Sequence, residues 1–234
     1  MSEFSKVILS SFTKVGTWTI ARSLKKPARF EHTQSMVRIE EMLENENQLF
    51  FCGIRDFISR NMSYFFQIIV DPSYNNVQCS SNDFKGELCY LGSKSDVLNM
   101  PVDEMINVFW SDINHDTALV WFLDFFRLID FDIEKEFFPK DVGSKLYDLK
   151  DGNRLMLYRL RDLNTVINEN DQLFGDIRNY HIGAKAWYGN KYKEFKETIA
   201  FSDEYVDKQI NNDIMRFFYT EKDINDFIKK YKKR

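Results

Sequence analysis

Apolar and polar positions alternate in two rhythms over the first third of the chain. "KVILSSF" (6–12) is a short apolar run with polar edges, which predicts a buried β-strand. After a lysine and a glycine, "TWTIARSL" (17–24) shifts to helical spacing and is stopped by Pro27. "ARFEHT" (28–33) predicts a second short strand, "SMVRIEEMLENE" (35–46) a second helix, and "NQLFFCGIR" (47–55) a third strand. A βαβαβ order of this kind predicts a parallel sheet with right-handed crossovers. "DFISRNMSYFFQIIV" (56–70) carries apolar residues on more than one face, so a buried helix is expected to end before Asp71 and Pro72.

The stretch 71–92, rich in Ser, Asn and Asp, predicts a loop with a short hairpin around Lys85 and Gly86. Two helices are predicted at 102–113 and 116–129, the second apolar nearly all round and therefore core material. In 145–160 an Asp151-Gly152 turn signal separates two strand-like runs, which predicts a hairpin returning an edge of the sheet. The last fifty residues or so are polar and helical. Thr220 and Asp223 have the spacing of a capping box for the final helix, and "KKYKKR" suits the negative end of its dipole as a solvated terminus. The expected fold is a single domain over 1–234: a three-layer α/β/α arrangement with a central, mainly parallel sheet and a helical C-terminal region.

Composition narrows the function classes. The 234 residues are 44% hydrophobic, enough to bury a full core. A net charge of -4 argues against a polyanion-binding surface, so no nucleic-acid partner is expected. No apolar run is long enough to span a bilayer and no secretory leader pattern opens the chain, so a cytoplasmic protein that is not membrane-spanning is expected. Cys52, Cys79 and Cys89 lack metal-ligand spacing and are expected to be reduced thiols.

The junction between the first strand and first helix carries chemistry. A helix start offers backbone N–H groups and about half a positive charge to an oxyanion. Gly16 lets the main chain approach a ligand closely, Lys14 adds a mobile charge, and Thr17 and Thr19 add hydroxyl donors. The lysine stands before the glycine, unlike the Gly-x4-Gly-Lys-Ser/Thr loop of magnesium-nucleotide enzymes. Arg55 closes the third strand, and Ser63 lies eight residues later, roughly two helical turns on. An arginine at a strand end can clamp a phosphate with two parallel hydrogen bonds, and a hydroxyl can close on it from another side. Ordinary alternatives are a Lys14 in solvent, an Arg55 paired with a carboxylate and a Ser63 buried in its helix.

Together, "TKVGTWTIARSL" and "IRDFISRNMSYFF" resemble the 5'-phosphosulfate loop and the 3'-phosphate motif of sulfotransferases that use 3'-phosphoadenosine 5'-phosphosulfate (PAPS). The resemblance implies a P-loop-like sulfotransferase fold. It makes Lys14, Val15, Gly16, Thr17, Trp18 and Thr19 the phosphosulfate loop, and Arg55 with Ser63 the holders of the 3'-phosphate. The later segments "LMLYRLRDLN" and "NYHIGAKAWYGNKYKEF" resemble a bacterial family labelled capsular polysaccharide synthesis protein, named for a Lys-Trp-Tyr-Ser type motif. This chain has Ala186, Trp187, Tyr188 and Gly189 there, and Phe57 where proline commonly follows the Arg-Asp pair. The family implies a carbohydrate or polysaccharide acceptor, PAPS as donor, 3'-phosphoadenosine 5'-phosphate (PAP) as product, and no metal.

Sulfuryl transfer needs a cation near the departing phosphate and a base for the acceptor hydroxyl. Lys14 is the candidate for the first role. For the second, histidine titrates nearest neutral pH. His32, at the end of the second strand, resembles the position of the base in uronyl 2-O-sulfotransferases, and Glu31 is the next base to consider. His115 is expected at a helix start and His181 in a loop. Trp18 and Trp187 could stack on a base or a sugar, though core packing is the ordinary role of a tryptophan. Lys185, Lys191 and Lys193 cluster around the Trp-Tyr pair. Alternatives are a nucleotide-binding protein without transfer activity, or a nucleotide-dependent kinase or glycosyltransferase.

Overall fold

A computed structural model describes residues 6–10, 15–25, 30–67, 93–176 and 186–232. In chain order the elements are β1 (Lys6–Ser10), α1 (Thr17–Ser23), β2 (Phe30–Thr33), α2 (Met36–Leu43), β3 (Gln48–Ile54) and α3 (Phe57–Phe65). There follow α4 (Lys94–Asn99), α5 (Val102–Asp112), α6 (Thr117–Leu128), β4 (Ser144–Asp148), β5 (Arg154–Arg159) and α7 (Leu163–Glu169). The C-terminal helices are α8 (Gly189–Thr198), α9 (Asp203–Ile210), α10 (Asp213–Phe218) and α11 (Glu221–Lys232). The chain divides into two compact units, one from Met1–Arg55, Val120–Tyr180 and Asp213–Glu221, the other from Asp56–Leu119, His181–Asn212 and Lys222–Arg234.

The first unit is built on a five-stranded sheet of order β2-β1-β3-β5-β4, giving an α/β fold with a mainly parallel sheet flanked by helices. β2, β1, β3 and β5 run parallel, and β4 turns back antiparallel to β5. Val7, Leu9, Leu49, Phe51, Met156 and Tyr158 form one core with Ile20 of α1 and Leu163, Val166 and Ile167 of α7. The alternate residues Ile8, Phe50, Cys52, Leu155 and Leu157 are buried as well. Burial on both faces is why these strands read as unbroken apolar runs instead of alternating ones. The predicted hairpin is present: Asp151 and Gly152 take positive φ, and Asp148 pairs with Arg154. The Asn153 side-chain carbonyl accepts the Gln48 N–H at 2.7 Å and ties this hairpin to β3. Along α6, most of which belongs to this unit, the expectation of an all-round apolar helix is corrected. Phe122, Phe125 and Phe126 are buried, whereas Val120 and Leu123 are about half exposed, so the helix packs on one side.

The second unit is helical. Phe65 packs against Phe66, Phe109 and Phe195 with centroids 5.3–5.6 Å apart. Asp56 caps α3 by accepting the Ser59 N–H at 2.8 Å, so the helix starts where the polar Arg-Asp pair ends. The "KKYKKR" terminus differs from a fully solvated one, because its Tyr231 is completely buried. The hairpin expected at Lys85 and Gly86 lies outside the described residues.

Candidate functional site

Lys14 lies outside the described residues, and the chain after β1 is described again from Val15. Gly16 is the N-cap of α1 with φ 84°, a left-handed conformation that glycine adopts without a Cβ penalty, and it provides no side-chain cap. A Cβ at Gly16 would stand 2.5 Å from Leu163 Cδ2 and 3.0 Å from Leu160 Cδ1. Thr17 and Thr19 are buried, while Trp18 between them is 48% exposed. From β5, the Tyr158 hydroxyl donates to the Val15 carbonyl at 2.9 Å. Its ring lies over Gly53 of β3, where a Cβ would fall 2.3 Å from the ring carbon Cζ. Burial pushes the Tyr158 phenol far up, so it stays protonated and remains a donor. Ser10, the last residue of β1, is fully buried, and its hydroxyl meets no hydrogen-bond partner among the described residues. Such a group costs about 1–3 kcal/mol unless something satisfies it.

Arg55 follows β3 directly and is half-buried. β3 lies parallel beside β1, with Leu9 opposite Phe51, so the carboxyl ends of both strands open on one edge of the sheet. The first unit therefore brings Val15, Gly16, Thr17, Trp18 and Thr19 to the same edge as Arg55. Ser63 belongs to the second unit, half-buried on α3. In that unit the Asp56 cap accepts the Tyr231 hydroxyl at 2.5 Å, and Lys230 donates to the same hydroxyl at 2.8 Å.

His32 is exposed on the edge strand β2, in register with Leu9. Its neighbour Glu31 points to the other side of the strand, since successive side chains alternate. Glu31 is paired with Arg38 at 2.8 Å and with Lys6. The Arg38 hydrogen bonds, then that of Lys6, pull its carboxyl from 4.5 down to about 2. So acidic a carboxylate is a poor proton acceptor at neutral pH, which removes Glu31 as the alternative base. A folded pKa below the unfolded one stabilises the protein above pH 4.5, and this contribution is lost as pH falls toward about 2. Chemical denaturation at pH 6 and pH 3 is expected to show a smaller loss for Glu31→Gln than for the wild type. Equal losses would mean that the Arg38 and Lys6 contacts do not hold Glu31 in solution.

Around the Trp-Tyr motif, Lys94 stands 5.4 Å from the Trp187 ring centroid, and the buried Trp187 indole N–H has no partner among the described residues. Lys191 donates to the Met100 carbonyl at 3.0 Å and pairs with Glu194 at 3.1 Å, and Lys193 pairs with Glu197 at 4.0 Å. These two lysines are thus balanced by carboxylates of their own helix, while Lys185 and His181 lie outside the described residues. His115 is not at a helix start. It is buried in the turn before α6, with Nε2 on the Phe109 carbonyl and Nδ1 on the Tyr205 hydroxyl, each at 3.0 Å. Asn61 donates to that hydroxyl at 3.3 Å and to the His115 carbonyl at 3.0 Å, which makes a structural knot.

An open groove of about 640 Å³ in the first unit, lined by Phe137, Phe138, Lys140, Asp141, Arg216 and Phe217 among others, includes none of the predicted site residues. Among the described residues no helix is long and apolar enough to cross a membrane, and no group of three or more His, Cys, Asp or Glu is arranged to hold a metal ion. Comparison with known protein families, curated proteins and solved structures gives no match.

Proposed function

We propose that the chain is a cytoplasmic PAPS-dependent sulfotransferase acting on a hydroxyl of a carbohydrate, in the modification of capsular or surface polysaccharide. The observation that carries this reading lies within the first unit. An uncapped helix start with a left-handed glycine follows β1, and an arginine follows the adjacent parallel strand β3. The carboxyl ends of parallel strands are where open α/β sheets bind ligands. Gly16 without a Cβ, the Thr17 and Thr19 hydroxyls and the Arg55 guanidinium supply donors suited to a nucleotide that carries two separate anionic groups.

When bound, PAPS supplies an activated sulfuryl group. In this reading Lys14 and the backbone N–H groups after Gly16 meet the negative charge that grows on the departing 5'-phosphate. Arg55 holds the 3'-phosphate and so fixes the other end of the nucleotide. His32 takes the proton of the acceptor hydroxyl as that oxygen bonds to sulfur and the bond from sulfur to the 5'-phosphate oxygen breaks, leaving PAP. Lysine, arginine and backbone dipoles carry the charge, so no metal enters the scheme.

Thermal denaturation with PAP, AMP and magnesium-ATP tests the reading. PAP at 100 times its Kd is expected to add about 2.7 kcal/mol of stability, roughly 5–10 °C in Tm, with AMP giving far less. No stabilisation by PAP, or a larger one by magnesium-ATP, would overturn it. Sulfuryl transfer from labelled PAPS to a panel of saccharides then separates a transferase from a protein that only binds the nucleotide.

A further inference from the structure

We propose that the open groove of the first unit docks a lysine-rich peptide segment of a partner protein, one that also carries apolar anchor residues; this inference is independent of the nucleotide reading. The groove, of about 640 Å³, has Ile133, Phe137, Phe138 and Phe217 as its apolar lining. Phe138 and Phe217 are buried, whereas Phe137 is 69% exposed. A second hollow of about 360 Å³ shares Ile133 and Glu134 with the first and adds Leu123, Phe126 and Phe131. One exposed apolar residue is ordinary on a protein surface, but aromatic and aliphatic side chains lining two joined hollows have the anatomy of an anchor site.

Charge decides which partner fits. Glu134, Glu136, Asp141 and Asp213 line the larger hollow, are exposed, and form no ion pair among the described residues. Of its two lining cations, Arg216 is already paired with Glu221, which leaves Lys140. Four carboxylates against one lysine attract a cationic segment and repel nucleic acid, anionic lipid or an acidic saccharide. The backbone that carries these groups is pinned before any partner arrives. The Phe137 carbonyl accepts from the Lys145 ammonium at 2.9 Å and from the Tyr147 hydroxyl at 2.8 Å. The Arg159 guanidinium donates to the Lys140 carbonyl at 2.7 Å, and the Glu136 N–H to the Asp132 carbonyl at 3.0 Å. An exposed aromatic on a fixed backbone loses little freedom on binding, so its contact is retained as affinity.

The test is fluorescence anisotropy on the full chain with a labelled eight-residue peptide of six lysines, one phenylalanine and one leucine. An all-lysine peptide and a peptide with glutamate in place of each lysine are the controls. The mixed peptide is expected to bind about tenfold tighter than the all-lysine one, and the glutamate peptide not to bind. Phe137→Ala should remove the preference for the mixed peptide, and Glu134→Lys with Asp141→Lys should weaken both basic peptides about tenfold, with affinity falling as salt rises. All three positions are at the surface or on its rim, so these variants are expected to keep the Tm of the wild type. Glu40→Lys with Glu44→Lys, exposed positions of the same unit that line neither hollow, makes the same change of net charge and should leave the affinities unaltered. Failure of the mixed peptide to bind overturns the proposal, as does equal binding of the all-lysine peptide. Equal weakening by the two charge-reversed pairs would show attraction to the protein's net charge alone, and would overturn it too.

Discussion

Arg55→Ala is expected to abolish almost all of the stabilisation that PAP gives the wild type and to bring its response down to that of AMP. A bidentate guanidinium-phosphate contact is made of charge-assisted hydrogen bonds, and its removal costs about 2–4 kcal/mol, roughly 30-fold to 1000-fold in Kd. A nucleotide concentration at 100 times the wild-type Kd then stands near the variant's own Kd, where ligand adds only about 0.4 kcal/mol. The Tm rise should shrink from roughly 5–10 °C to about 1 °C. Arg55→Lys keeps the charge but loses the planar fork, so its response is expected to lie between the two. AMP lacks the 3'-phosphate, so its weaker effect should be the same in all three proteins. If Arg55→Ala keeps the full response to PAP, the 3'-phosphate is held by something other than Arg55.

Phe65→Ala is expected to cost about 3–5 kcal/mol of stability, as the loss of a central core ring does. Phe65, Phe66, Phe109 and Phe195 are all fully buried, and three rings lie within 5.6 Å of the Phe65 centroid. Removing the central ring leaves a cavity that its rigid aromatic neighbours cannot collapse to fill. Against a total stability of about 5–15 kcal/mol, such a loss is visible as a large drop in the urea midpoint. Phe65→Leu, which refills most of the volume, should lose less than half as much. Similar midpoints for Phe65→Ala and the wild type would mean that the cluster is loosely packed in solution.

The helix starting after Gly16 and the strand ending before Arg55 were legible because each announces itself over a few residues. Apolar periodicity marks the element, and glycine or a polar pair marks its end. The hairpin at Asp151-Gly152 was legible for the same reason. What escaped were contacts between residues far apart in the chain. Tyr158 reads as one more apolar position in a strand, and its bond to Val15 spans 143 residues. The one local hint is Gly53, since a glycine inside an apolar strand often marks the close approach of another group. Tyr231 sits in a run of lysines that reads as solvent-facing, yet it is buried and bonds to Asp56, 175 residues away. His115 shows the same limit: the sequence reads it as the first residue of a helix, but Tyr205 and Asn61 bond to its ring and its carbonyl.

By itself the sequence left α4 and α7 unread but determined the order and type of the first six elements and the later hairpin, the parallel character of the sheet's first three strands, the helix start at Gly16 and the strand-end positions of His32 and Arg55. These follow from hydrophobic period and turn chemistry, which act over one or two turns of chain. Only the tertiary structure decided that β5 lies beside β3, that its Tyr158 crosses Gly53 to hold Val15, and that Arg38 and Lys6 withdraw Glu31 from proton chemistry. Each of these depends on which groups meet once the sheet is assembled. A hydrogen bond or an ion pair is fixed by the approach of two side chains in space, and nothing in the local pattern around either partner records the other.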